Sequence, residues 1–140
     1  LSGFLLDTNV PSELRKRSPN AGLIQWLRRI DELKLYLSVL TIAEFRIGIE
    51  MERDKRKQGD LESWLVSDVM PRFSGRILPF DLSAAERWAL IEGRARRASG
   101  KLPTVDAMLA ATALDYGLTI VTRNETHFAR TGVTVLNPWT

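Results

Sequence analysis

Four short apolar runs alternate with longer stretches of helical spacing, and this alternation narrows the possible folds more than any other feature of the 140-residue chain. The runs cover residues 3–6, 35–39, 76–80 and 118–122, with a candidate fifth at 133–136. Each is too short for a stable helix and is bounded by polar or turn-forming residues, which is the signature of buried strands. Between them, Leu23, Ile24, Leu27 and Ile30 fall at helical spacing in residues 21–30, and Ile42, Phe45 and Ile49 do so in residues 41–51. Leu61, Trp64, Leu65 and Val69 mark another helix, and the charged stretch 50–60 before it reads as a solvated helix end and turn broken at Gly59. Two more helices are expected at residues 83–98 and 103–116, with Pro103 in the first turn of the latter and Gly117 stopping it. Alternating strands and helices predict an α/β fold with a mostly parallel central sheet flanked by helices, as a single domain over residues 1–140.

The sheet direction matters because parallel α/β sheets bind ligands beyond the carboxyl ends of their strands. Three strand ends and one helix start carry oxygen donors. Asp7 closes the first run in FLLDTN, where an unpaired buried charge costs several kcal/mol. It either caps the helix starting in NVPSELRK or holds a cation. Glu44 follows the second run, where Thr41 and Glu44 have the spacing of a capping box. Ser83 and Glu86 repeat that spacing elsewhere. Glu44 shares its helical face with Ile47, Gly48 and Met51, which aims it into an apolar stripe, and it leaves a strand as Asp7 does. Asp106 sits in LPTVDAMLAATALDYG, with Leu109, Ala110 and Ala113 as helical neighbours. A first-turn aspartate gains up to about 1 kcal/mol from the helix dipole, but the dipole does not explain an inward aim. Asp115, near the far end of the same helix, is expected to be exposed. Asn124 lies just past the fourth run in TIVTRNETHF. Together these residues describe an acidic pocket. Carboxylates crowded in this way repel one another unless protons or a cation neutralise them, and hard oxygen ligands suit Mg²⁺ or Mn²⁺. The lone histidine, His127, reads as a surface or packing residue.

At this point the motifs resemble a known family. LLDTNVPSEL, LSVLTIAEFRIGI, PTVDAMLAATA and VTRNETHF are similar, in order, to the four motifs of PIN-domain nucleases, and most of all to the VapC and FitB-like toxins of bacterial toxin–antitoxin pairs. GRILPFD and the closing VTVLNPW are similar to the same subgroup. The resemblance implies a Mg²⁺- or Mn²⁺-dependent ribonuclease with Asp7, Glu44 and Asp106 as metal-binding acids and Asn124 at the fourth catalytic position. Relatives carry Asp or Asn there, and Asn bears one negative charge fewer. Many relatives have Asp where this chain has His127, so the resemblance gives that residue no role. It further implies a homodimer and a VapB-like cognate antitoxin whose tail lies in the active-site groove, often with an arginine near the acids.

In that setting a metal on Asp7 and Asp106, with Glu44 completing the shell, would serve phosphodiester cleavage. Arg123, Lys101 and the arginines of residues 94–97 become candidates to attract an RNA backbone. Two rivals remain open. One is an aspartyl-phosphate phosphatase with Asp7 as nucleophile, although such enzymes favour an acid two residues on, where this chain has Asn9. The other is a non-catalytic PIN-like module that binds its partner and nucleic acid. The net charge of +3 permits a polyanionic ligand without demanding one. With no cysteine, neither a disulfide framework nor a thiolate metal site can form, which fits a cytoplasmic protein. No apolar run approaches a membrane span, and no signal-peptide pattern precedes the first strand. The opening Leu1-Ser2-Gly3, without methionine, is expected of a processed start.

Overall fold

A computed structural model of the protein describes residues 2–140; Leu1 lies outside the described residues. Five strands form an all-parallel sheet in the order β3-β2-β1-β4-β5. They are β1 (Phe4–Leu6), β2 (Leu35–Ser38), β3 (Ile77–Leu78), β4 (Thr119–Val121) and β5 (Val135–Leu136). All five runs read from the sequence are strands, each trimmed at one or both ends. In register, Phe4, Leu5 and Leu6 lie opposite Thr119, Ile120 and Val121. The chain winds outward from β1 in one direction through β2 and β3, and from β4 in the other through β5. The seam between β1 and β4 is therefore the switch point at which such sheets open a crevice.

Successive strand residues face opposite ways, so each face of the sheet has its own core. Leu6, Leu35, Leu37 and Val121 pack with α1 (Asn9–Leu14), α2 (Ala21–Arg29) and α3 (Val39–Met51) through Val10, Leu23, Trp26 and Ile49. α4 (Lys55–Ser63) runs on through a π-helical segment, Trp64–Val69, into the short α5 (Met70–Arg72) and adds Leu65, Val69 and Phe73. Leu5, Leu78 and Ile120 face the other way, against Leu109, Ala110 and Ala113 of α7 (Thr104–Tyr116). α6 (Leu82–Arg97) covers α7 through Ile91, Ala107 and Ala111. Buried between sheet and α6, α7 carries small side chains because two layers press on it. It ends at Gly117 in the left-handed conformation (φ 68°), as its sequence predicts.

Several boundaries differ from expectation, each for a local reason. α3 begins two residues before Thr41, because the Ser38 side chain caps it by accepting from the Leu40 N–H at 3.0 Å. Likewise Asp81 rather than Ser83 caps α6, accepting from Ala84 at 3.1 Å. Neither expected capping box forms. Asp54 caps α4 through Arg56 and Lys57, so Gly59 lies inside a helix rather than breaking one. Pro71, which has no N–H to donate backward, follows the widened π turn. Asp115 is not free at the surface: it accepts from the Ser83 hydroxyl at 2.8 Å and faces Arg87 at 3.5 Å, tying α6 to α7.

Candidate active site

Asp7 leaves β1 with its N–H bonded to the Val121 carbonyl of β4 at 2.9 Å, so the sheet ladder fixes its backbone at the central seam. The residue is 5% exposed. Its Oδ1 accepts from the Thr8 N–H at 2.7 Å, and its Oδ2 accepts from the Thr122 hydroxyl at 2.7 Å. Asn9 reaches the same Oδ2 at 3.4 Å and Thr122 at 3.3 Å. Thr8, not Asp7, occupies the N-cap of α1 and makes no side-chain cap bond. Burial pushes the Asp7 carboxyl above its ordinary pKa, the Thr122 bond pulls it down, and the charge of Asp106 raises it again.

Glu44 sits one turn further into α3 than a capping box would place it. Its helical neighbours Ile47, Gly48 and Met51 are exposed, so its face is open rather than the apolar stripe expected. Glu44 is half-buried, and its Oε1 accepts from the Thr8 hydroxyl at 2.6 Å. That hydroxyl also lies 3.4 Å from the buried Thr41 hydroxyl. Thr8 thereby ties two carboxylates together, Asp7 through its backbone and Glu44 through its side chain.

Asp106 lies in the first turn of α7, with Leu109, Ala110 and Ala113 buried beneath that face. Its Oδ2 is 2.8 Å from Nδ1 of His127. Burial raises its pKa, His127 lowers it and the Glu44 charge raises it. Since Asp106 acts on Asp7 and Glu44 on Asp106, all three expected acids share one electrostatic environment. Asn124 is beside them: its N–H donates to the Thr122 hydroxyl at 2.9 Å, while its side chain is exposed at the start of the 3-10 turn Glu125–Phe128.

Among the described residues, no three histidine or acidic side chains close around one point as a finished cation cage. The donor set nonetheless suits a hard divalent cation, being carboxylate oxygen with hydroxyl and amide support and no sulfur. Glu44 engages Thr8 through Oε1 and Asp106 engages His127 through Oδ2, which leaves the other oxygen of each for a ligand. Asn9 directs its amide onto Asp7 instead of supplying the second acid a phosphatase nucleophile would want.

Four contributors were not read as site residues in the sequence. Thr8, Asn9 and Thr122 orient the acids, and their adjacency to Asp7 and to a strand end was the available signal. His127 gave no such signal. Its contact with Asp106, 21 residues away, exists only because the 3-10 turn folds back onto α7.

Comparison with known proteins bears on the family and the fold. The PIN domain profile matches residues 4–133. The chain is similar to toxin FitB of Neisseria gonorrhoeae, 38% identical over 97% of this chain and 98% of that one. It is also similar to a VapC ribonuclease of Sinorhizobium fredii, at 34% identity over 97% of each chain. Among solved structures, the crystal structure of FitAcB from Neisseria gonorrhoeae superposes with a TM-score of 0.89, covering 97% of this chain and 98% of that one.

Proposed function

The chain belongs to the PIN-domain family, and from that premise we propose that it is the toxin of a toxin–antitoxin pair, a divalent-metal-dependent ribonuclease. The observation that carries the reading is the crowding of Asp7, Glu44 and Asp106 at the carboxyl edge of the sheet. Burial and mutual repulsion raise the pKa of two of the three. Such an arrangement destabilises the protein alone and is relieved by a cation. Relatives named as toxin and as ribonuclease support the activity.

A Mg²⁺ or Mn²⁺ ion held by Asp7 and Asp106, with Glu44 completing the shell directly or through water, would supply Lewis acidity toward the scissile phosphate. The remaining residues prepare the acids. Thr122 and the Thr8 N–H fix the two oxygens of Asp7, the Thr8 hydroxyl fixes Glu44, and His127 holds one oxygen of Asp106. Such supporting bonds orient ligands and commonly matter tenfold or more for metal affinity or activity. Asn124, uncharged, favours one ion over two. The partner expected on this reading is an antitoxin that presents a cation, an arginine above all, to the same carboxylates. A homodimer and a cytoplasmic location belong to the same proposal. Among the described residues, no helix is long and apolar enough to cross a membrane.

The test is cleavage of single-stranded RNA with Mg²⁺ or Mn²⁺, with EDTA, and by Asp7→Asn and Asp106→Asn. Cleavage is expected only with metal, and each variant is expected to lose on the order of a hundredfold or more. Parental rates in both variants would refute the assignment.

A further inference from the structure

α6 ends in a cation-rich loop that leads into the α7 turn holding Asp106. Ser99 takes the left-handed conformation (φ 57°), Gly100 N–H bonds back to Ala95 O at 2.8 Å, and Ser99 N–H to Arg96 O at 3.0 Å. This is a Schellman closure with serine where glycine is usual. Gly100 is then covered by Arg130. A Cβ at Gly100 would run into the Arg130 guanidinium and would have to displace it. Arg94 and Arg130 line a cleft of about 290 Å³, and Gly100, Lys101 and Thr104 line another of about 550 Å³. Among the described residues, Arg94, Lys101 and Arg130 take part in no ion pair. The one acid lining the larger cleft, Glu92, is matched by Arg96 at 3.7 Å. Both ends of the arrangement are anchored on segments that hold Asp106. Thr104 opens the α7 turn containing it, and Arg130 closely follows the 3-10 turn whose His127 touches it.

We propose that Arg94, Arg130 and Lys101 form a phosphate-binding strip that guides single-stranded RNA to Asp106, and that Gly100 lacks a side chain so that Arg130 can lie over the α6–α7 loop. The identity of the ligand rests on the ribonuclease reading above. Unpaired cations at the edge of an acidic pocket would attract a polyanion that the pocket itself repels. Continuity of the strip depends on the position of Arg130, not only on its charge.

The experiment measures anisotropy of a labelled uridine-rich single-stranded RNA with the full chain in EDTA, across a salt series, beside steady-state cleavage in Mg²⁺. Arg94→Ala and Arg130→Ala are each expected to weaken binding on the order of tenfold, the size of one lost charge-assisted hydrogen bond, and to lower the salt slope by about 1. KM should rise while kcat stays within about twofold. Gly100→Ala keeps every charge but displaces the Arg130 guanidinium, so it should weaken binding, though by less than Arg130→Ala does. Combining the two should add nothing to the loss in Arg130→Ala, because both act on the same contact. Arg28→Ala with Arg29→Ala, on α2 across the sheet, serves as the control and is expected to bind as the parent does. Binding by Gly100→Ala or Arg130→Ala equal to that of the control overturns the strip. Loss instead of binding to poly-glutamate would assign these cations to an acidic protein partner and overturn it equally. Binding in EDTA does not require cleavage, so failure of the ribonuclease reading is seen separately, as a parent that cleaves no RNA.

Discussion

Asp7 and Asp106 are each held in the neutral direction by burial first and by a neighbouring carboxylate as well. In the unfolded chain both titrate in the ordinary carboxylate range, so the folded protein binds their protons more tightly. The stability contributed by those protons is complete below that range and is lost as pH rises through the raised values. At neutral pH, without metal, the two charges therefore oppose folding. Asp7→Asn and Asp106→Asn are expected to melt at higher temperature than the parent at pH 7 in EDTA, the gap closing as pH falls toward about 4. Thermal unfolding at a series of pH values measures this, and a gap that is reversed or independent of pH would contradict it. A companion comparison separates site from surface. Glu44→Gln is expected to lose cleavage, whereas the exposed Glu86→Gln keeps it, and equal losses would misplace the pocket. The acids were legible in the sequence because each followed a strand or opened a helix with no apolar reason to be there. His127 was not, since nothing in its own neighbourhood encodes where the 3-10 turn will return it.

Strands and helices were legible by period, and their ends were not, because several residues competed to cap them. Ser38 and Thr41 both precede apolar spacing, and the bond from the Leu40 N–H to the Ser38 hydroxyl starts the helix at the very end of β2, taking the chain directly from strand to helix. Ser38→Ala is expected to cost about 1 kcal/mol in urea unfolding. An unchanged stability would deny the Ser38 hydroxyl its capping role. Gly59 was misread in a related way. A glycine amid charges suggests a turn, but Asp54 starts α4 early enough to carry the helix through it. A Cβ at Gly59 would meet nothing within 4 Å. Gly59→Ala is therefore expected to raise stability by about 0.5–1 kcal/mol, since it removes unfolded-state freedom at a helical position. Destabilisation in the same assay would mean that α4 is not helical there.

The two cores lie on opposite faces of one sheet, and the three acids reach its carboxyl edge from different elements. Asp7 comes from the central strand, Glu44 follows β2 on the face of α2 and α3, and Asp106 belongs to α7 on the other. A cation shared by the three would clamp both halves to the seam, and it can do so only in the folded chain. Ligands that bind the native state alone stabilise it by RT ln(1 + [L]/Kd), about 2.7 kcal/mol at a hundredfold excess over Kd, which is several degrees of Tm for a domain of this size. Mn²⁺ is thus expected to raise the Tm of the parent and EDTA to restore it. The shift should be absent in Asp7→Asn and Asp106→Asn, although both start from a higher metal-free Tm, and it should remain in Glu86→Gln. The opposite signs matter: a substitution that stabilises the metal-free protein and abolishes stabilisation by metal acts at the site of like-charge crowding. Equal Mn²⁺ shifts in parent and variants would place the ion elsewhere on the molecule, and the three carboxylates would then have to be kept for a cationic partner alone.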